Sequence, residues 1–119
     1  MIRYELPFPP TLNNLFRNVK HGRVKTEGYE RWIRLAQGHV LEQGRKRLHG
    51  FVSVSVALVR PDKRKRDLDN AGMKAVLDLL VSMQVIDDDS LVQRITLQWV
   101  DSGPACSVII QHAEEALAA

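Results

Sequence analysis

The sequence has few of the residues that build disulfide-bonded, zinc-binding or membrane-spanning proteins. The single cysteine, Cys106, excludes an internal disulfide and fits a reducing compartment. No uninterrupted apolar run approaches the roughly 20 residues that a transmembrane helix requires. The residues 1–10 lack the apolar core of a signal peptide. The four histidines form no close pair with metal-ligand spacing. We therefore expect a soluble cytoplasmic protein without a zinc site.

The size and composition of the chain favour one compact domain over residues 1–119. Of its 119 residues, 45% are hydrophobic, which is enough to form a single core. The net charge is only +3 and the pI is about 9.3. The positive charges are clustered, however, and such a cluster creates a local field that attracts a polyanion.

Hydrophobic periodicity predicts an α+β fold in which two main helices pack on a short mixed sheet. Residues 26–43 and 71–83 have helical spacing, with Thr26 as an N-cap and Gly44 as a stop signal for the first helix. Alternating patterns predict strands over residues 2–6, 51–59, 91–99 and 106–110. Residues 11–25 are interpreted as a long, functional surface loop. The tail from Ala113 is expected to be a short helix or a frayed end.

One stretch combines positive and negative charge in an unusual order. Five cationic side chains fall within the seven residues 60–66 and are followed by Asp67, Asp69 and Asn70. We expect the cations of residues 63–66 to bind DNA phosphates without distinguishing the bases. These cations are Lys63, Arg64, Lys65 and Arg66, and Asn70 is expected to contact the nucleic acid with them. The alternative is a solvated loop.

Asp67 and Asp69 are candidate ligands of a divalent metal. If residues 67–69 are extended, both carboxylates point the same way and repel each other. A bound Mg²⁺ or Mn²⁺ relieves this repulsion, because hard cations prefer oxygen ligands. The acidic cluster of residues 87–89 precedes a predicted strand, and a third carboxylate is expected to come from it if it returns to the same end of the sheet. The alternatives are helix capping and a solvated acidic turn.

Lys74 lies one helical turn beyond Asn70 on the polar stripe of the second predicted helix. A lysine in this position could hold the scissile phosphate or neutralise developing charge. The alternative is a surface ion pair with Asp78, four residues later.

Several segments together resemble the signature of the RusA-type Holliday-junction resolvases. They are residues 66–70 (RDLDN), 74–78 (KAVLD), 88–90 (DDS) and 9–13 (PPTLN). The similarity covers residues 4–110. It implies a small α/β fold and a homodimeric endonuclease of bacteria or their phages. It also implies metal-dependent, paired cleavage of four-way DNA junctions.

The resemblance also assigns roles to individual residues. Asp67 and Asp69 match the first two catalytic acids, and Lys74 matches the functional lysine. Here the spacing from the acids to the lysine is one residue longer than usual, which places an insertion within residues 71–73. Alignment from Lys74 selects Asp89 as the third acid, with Asp88 as the alternative or a supporting group. Asn13 and Arg17 belong to a possible substrate loop.

Two other functions are compatible with parts of the pattern. A non-catalytic basic DNA-binding module would bind DNA without regard to Mg²⁺ and would incise nothing. A metal-dependent transferase acting on a nucleotide-sugar would use the same Asp-x-Asp pair. The sequence has no glycine-rich phosphate loop, which weighs against the transferase.

Overall fold

A four-stranded mixed sheet covered on one face by two helices forms the body of the protein. The computed structural model describes residues 1–114. The strands are β1 (Ile2–Leu6), β2 (Phe16–Val19), β3 (Gly22–Lys25), β4 (Val52–Val59), β5 (Val92–Val100) and β6 (Cys106–His112). The helices are α1 (Glu27–Gln43) and α2 (Met73–Ser82). Short 3₁₀ turns occupy Leu12–Asn14, Leu68–Asn70 and Asp89–Leu91.

The strand order in the sheet is β1-β6-β4-β5. β6 runs antiparallel to both β1 and β4, whereas β4 and β5 are parallel, with Val52 opposite Val92 and Val59 opposite Val100. Two parallel neighbours need a crossover connection. α2 lies in that crossover, so the chain leaves the carboxyl end of β4, passes through α2 and returns to the amino end of β5.

The core lies between the sheet and the two helices. β4 is the central strand, and every second side chain from Val52 to Leu58 is almost completely buried. α1 contributes Tyr29, Trp32, Ala36 and Val40, and α2 contributes Ala75, Val76, Leu79 and Leu80. The predicted α+β fold and the predicted helices and strands are therefore confirmed to within a few residues.

The predicted boundaries of α1 are supported by its capping contacts. The Oγ1 of Thr26 accepts a hydrogen bond from the backbone N–H of Tyr29 at 3.2 Å, which satisfies one of the first amides of the helix. Gly44 follows the helix with a φ of 90°, a conformation that a residue with a Cβ rarely adopts.

Residues 11–25 are not the long loop that the sequence predicts. They contain the Leu12–Asn14 turn and a hairpin of β2 and β3, which forms a separate two-stranded sheet. The interpretation as a loop was wrong because polar side chains occupy both faces of these strands, so the usual alternation is missing. Most of the tail predicted from Ala113 lies beyond Glu114 and therefore outside the described residues. None of the helices in residues 1–114 is long and apolar enough to cross a membrane.

Candidate active site

Asp67 and Asp69 follow the basic loop, residues 60–66, which leaves the carboxyl end of β4. Asp67 has an extended backbone, with φ −84° and ψ 127°, but Asp69 lies within the 3₁₀ turn Leu68–Asn70. The chain is therefore not extended throughout residues 67–69, and the condition under which strand geometry would place both carboxylates on one face is not met. Both carboxylates are exposed, and neither forms a side-chain hydrogen bond or ion pair within residues 1–114. They do not cap α2, whose N-cap residue is Gly72.

The segment that contains the proposed insertion packs closely against the N-terminal segment. A Cβ placed on Gly72 would lie 2.2 Å from Cγ and 2.3 Å from Cβ of Pro9. Only glycine allows this approach without a shift of the backbone. Pro9 therefore packs directly against Gly72, the N-cap residue of α2, three residues after Asp69.

Two pairs of the residues selected from the sequence are in contact. The Oδ1 of Asn70 accepts a hydrogen bond from the backbone N–H of Asn13 at 3.3 Å, so the possible substrate loop reaches the Asp-x-Asp segment. Nζ of Lys74 lies 3.2 Å from Oδ1 of Asp78. The ion pair that was the alternative role of Lys74 is therefore present, although about half of the lysine side chain remains exposed.

A groove runs beside α2 on the side of α1 and the hairpin. Its polar lining includes Lys25, Tyr29, Asp78, Asp88 and Asp89. Burial raises the pKa of Tyr29 to about 12, and the negative charge of Asp78 contributes further. The phenol is protonated near neutral pH, as an ordinary tyrosine is, and its hydroxyl faces the carboxylate of Asp78. The helical spacing of Tyr29 in α1 predicts a core residue, and its side chain is indeed buried, with only its hydroxyl end near the groove.

The three acids of residues 87–89 have different environments. Arg47, the backbone N–H of Gly50 and His49 bind the carboxylate of Asp87, and these contacts lower its pKa to about 2. Asp88 accepts hydrogen bonds from the hydroxyl and the backbone N–H of Ser90, which lower its pKa. Asp89 is exposed and forms no such contact in the part of the chain that the structure describes. Of the three, only Asp89 has a carboxylate without a partner within residues 1–114.

The two acidic segments lie at opposite ends of the parallel strand pair. Asp67 and Asp69 follow the carboxyl end of β4, whereas Asp89 precedes the amino end of β5. The expectation that residues 87–89 return to the same end of the sheet is therefore wrong, because α2 crosses the sheet between them. No group of three or more Asp, Glu, His or Cys side chains within residues 1–114 could hold a metal ion. The oxygen donors suit Mg²⁺, but one chain does not assemble all three.

The four cations of residues 63–66 in the basic loop divide into two pairs. Arg64 and Arg66 both bind the carboxylate of Asp62, at 3.0 and 2.8 Å, and these contacts lower the pKa of Asp62 to about 2. Lys63 and Lys65 are exposed and form no ion pair within the described residues. Sequence reasoning treated the four cations as equivalent and missed Asp62, which neutralises part of the charge of the two arginines.

Comparison with known proteins identifies the family. The family model described as "Endodeoxyribonuclease RusA" matches residues 7–111. The chain belongs to the RusA endodeoxyribonuclease family. It is also similar to the crossover junction endodeoxyribonuclease RusA of Aquifex aeolicus (strain VF5), with 29% identity over 102 residues. That alignment covers 83% of this chain and 79% of the relative.

The RusA match includes every segment on which the resemblance was based. It begins just after β1 and ends within β6. The Pro9–Pro10 segment, the basic loop, the Asp-x-Asp turn, α2 and the acidic cluster all lie inside it. Since the match is to an endodeoxyribonuclease family, it supports neither the nucleotide-sugar transferase nor a function unrelated to DNA.

Proposed function

We propose that this protein is a Mg²⁺-dependent endonuclease that resolves Holliday junctions by paired phosphodiester hydrolysis, with Mn²⁺ as a possible substitute. One observation carries the proposal: in a chain of the RusA family, Asp67 and Asp69 lie exposed beside a basic loop, and their carboxylates have no partners within residues 1–114. The A. aeolicus relative, named a crossover junction endodeoxyribonuclease, supports four-way DNA as the substrate. The reaction would take place in the cytoplasm of a bacterium or of a phage-infected cell.

The residues of this chain have separate roles in the proposed reaction. Asp67 and Asp69 would hold the metal, which would supply an activated water and stabilisation of the transition-state charge. Lys63 and Lys65 attract the phosphate backbone. Lys74 holds the scissile phosphate, and its ion pair with Asp78 keeps the ammonium group oriented. Asp88 is engaged with Ser90, which supports Asp89 as the third acid.

A homodimer would bring together the acids that α2 keeps apart within one chain. In a two-fold dimer, Asp67 and Asp69 of one subunit can meet Asp89 of the second copy, and the symmetry creates two equivalent sites. Two sites are also what paired cleavage of two strands requires. The edge strand β5 offers a contact for the second subunit at Ile95, whose side chain is half exposed. Trp99 is less available, because Phe8 stacks on its ring and Arg60 lies 4.8 Å from the ring centroid.

The first test is cleavage of a synthetic four-way junction with and without Mg²⁺ or Mn²⁺. We expect paired incision only with the metal. Asp69→Asn should lower the rate by more than about a hundredfold, the loss that changes in the outer partners of metal ligands already cause. Junction binding should remain or become tighter, because a negative charge facing phosphate is removed. Retained cleavage by Asp69→Asn would remove this residue from the site.

The second test asks whether the acids meet across a dimer. Asp69→Asn and Asp89→Asn proteins are inactive alone but are mixed and allowed to exchange subunits. If each site uses acids of both subunits, the mixed dimer has one intact site and nicks one strand. If each site uses acids of a single chain, both sites of the mixed dimer are damaged and no activity returns.

The dispersed acids also favour a second candidate, a non-catalytic DNA-binding module. Such a module binds junctions equally well with Mg²⁺ and with EDTA, and it cleaves no DNA under any metal condition. The same junction assay separates it from the enzyme.

A further inference from the structure

The hairpin of residues 16–25 stands apart from the main sheet. Among the described residues its two strands pair only with each other, through the register from Phe16 opposite Lys25 to Val19 opposite Gly22. At its base, Leu15 is buried, and Phe16 packs edge-on against Tyr29 of α1. The N–H of Thr26 donates to the carbonyl of Leu15 at 3.0 Å, and this hydrogen bond joins the two chain segments at the base of the hairpin. All residues from 17 to 25 are exposed. The hairpin is therefore an anchored arm whose outer part contributes nothing to the core.

The arm has only one sign of charge. Residues 16–25 include four cations and no acid: Arg17, Lys20, Arg23 and Lys25. None of these side chains forms an ion pair within residues 1–114, in contrast to Arg47, Arg64, Arg66 and Lys74. A cluster of cations without internal partners has a field that is available to a polyanion.

The two faces of the arm differ in their relation to the groove beside α2. Cross-strand partners lie on one face, so Phe16, Asn18, Arg23 and Lys25 share a face. Arg23 lies 4.7 Å from the centroid of the Phe16 ring, which agrees with this assignment. Phe16 and Lys25 line the groove that also contains Asp88 and Asp89. The cationic face of the arm thus continues one wall of the acidic groove.

We propose that the hairpin arm binds a duplex arm of the DNA substrate beside the acidic groove, an assignment that rests on the proposed function. A two-stranded ribbon is the right width for the major groove of DNA, which is about 12 Å across. Two strands lie about 4.8 Å apart, so their cations reach the phosphates on both sides of that groove. The arm binds phosphates without selecting a sequence and holds the duplex in position while a strand enters the groove.

The first measurement is the affinity for a synthetic junction in EDTA, where no cleavage occurs. The triple variant Arg17→Gln, Lys20→Gln, Arg23→Gln leaves Lys25 in the groove unchanged. Because each lost phosphate contact reduces the slope of log K against log salt by about 0.9, the slope should fall by about two or more, and the affinity by about tenfold or more. The control Arg3→Gln, Arg34→Gln, Lys46→Gln removes the same charge from exposed residues elsewhere and should change the affinity only slightly. Equal affinities of the two variants would overturn the proposal.

The second measurement identifies directly what the arm contacts. Cys106 is fully buried, so a thiol-reactive photocrosslinker attached to His21→Cys reports on the arm alone. Crosslinks to the duplex arms of the junction are expected. Crosslinks to a second copy of this chain without DNA, together with unchanged junction affinity of the triple variant, would make the arm a dimer contact and contradict the proposal.

Failure of this proposal is distinguishable from failure of the proposed function. If the wild-type protein cleaves junctions and the triple variant binds them normally, the enzyme stands and the DNA-binding arm does not. If the wild-type protein never cleaves but the triple variant loses binding, the arm stands and the enzyme does not. A wild-type protein that binds no DNA would contradict the arm as well.

Discussion

The two acidic segments at the ends of α2 differ in whether other residues of the chain bind their carboxylates. At the amino end of β5, Asp87 and Asp88 are bound by Arg47, Gly50 and Ser90 of the same chain. At the carboxyl end of β4, Asp67 and Asp69 have no such partners within the described residues. An acid with several internal hydrogen bonds already has its charge satisfied, whereas an unpartnered acid is available to an external ligand. This difference supports the proposed roles of Asp67, Asp69 and Asp89 in the reaction and a structural role for Asp87.

The largest expected effect separates Asp89 from Asp88. Asp89→Asn should lower junction cleavage by more than about a hundredfold, as for the other proposed metal ligands. Asp88→Asn should lower it by less than about tenfold, because its carboxylate caps the Asp89–Leu91 turn and an amide oxygen still accepts hydrogen bonds there. Single-turnover cleavage rates at saturating Mg²⁺ measure both effects. The reverse ranking would make Asp88 the third acid.

The second prediction concerns the packing that holds the Asp-x-Asp turn. Gly72→Ala forces the new methyl group into Pro9 and should destabilise the protein by roughly 1–3 kcal/mol, the usual cost of overpacking. It should also slow cleavage, because Asp69 and Lys74 lie on either side of the displaced residue. Denaturant unfolding and junction cleavage measure the two consequences.

Gly38→Ala is the matched control for Gly72→Ala. Its added methyl group meets nothing within 4 Å on α1 and should stabilise the protein by about 0.5–1 kcal/mol. Equal effects of the two substitutions would show that Pro9 does not constrain the start of α2.

The third prediction tests the structural role of Asp87 through pH. The pKa of Asp87 is lowered from 3.8 to about 2, so the ionised carboxylate stabilises the folded state above about pH 4. This stabilisation is lost as the pH falls from about 4 to 2. Asp87→Asn should therefore lower Tm at pH 7, and the difference from the wild-type protein should shrink toward pH 2.

Asp101→Asn controls for the loss of one negative charge. Asp101 is exposed and forms no ion pair in the described part of the chain, so its substitution should leave Tm nearly unchanged. Cleavage should fall less with Asp87→Asn than with Asp89→Asn when both are measured well below Tm. A loss of activity without a loss of Tm would instead place Asp87 in the active site.

The smallest expected effect concerns the basic loop. Asp62→Asn releases Arg64 and Arg66 from their ion pairs and should tighten junction binding several-fold, with a steeper salt dependence because more cations meet phosphate. Asp101→Asn raises the net charge by the same amount and should have less effect. Junction affinity measured at several salt concentrations tests this. Equal effects would mean that Asp62 does not restrain the arginines.

Much of the fold was predictable because its signals are local. Alternating valines in β4 and helical spacing in α1 depend only on which side chains must be buried together. Thr26 and Gly44 mark helix ends through contacts within one turn. The hairpin was not predictable in this way, since both of its faces are exposed and no burial pattern distinguishes its strands from a loop.

The candidate site was predictable in its residue types but not in its arrangement. The order of charges in residues 60–70 indicated phosphate binding beside carboxylates, and the family match agrees with that interpretation. Asp62 as a partner of two arginines, and Asp87 as a partner of Arg47, depend on how the chain folds. Residues 67–69 are not extended throughout, because a 3₁₀ turn starts at Leu68.

The sequence by itself determined the two main helices and the four strands of the main sheet, where the charged groups are and which family the chain resembles. Those properties follow from local periodicity and from the side chains themselves. Tertiary structure alone decided that β4 and β5 are parallel, and therefore that α2 separates Asp67 and Asp69 from Asp89. Strand direction depends on contacts between residues about 40 positions apart, which no local pattern encodes.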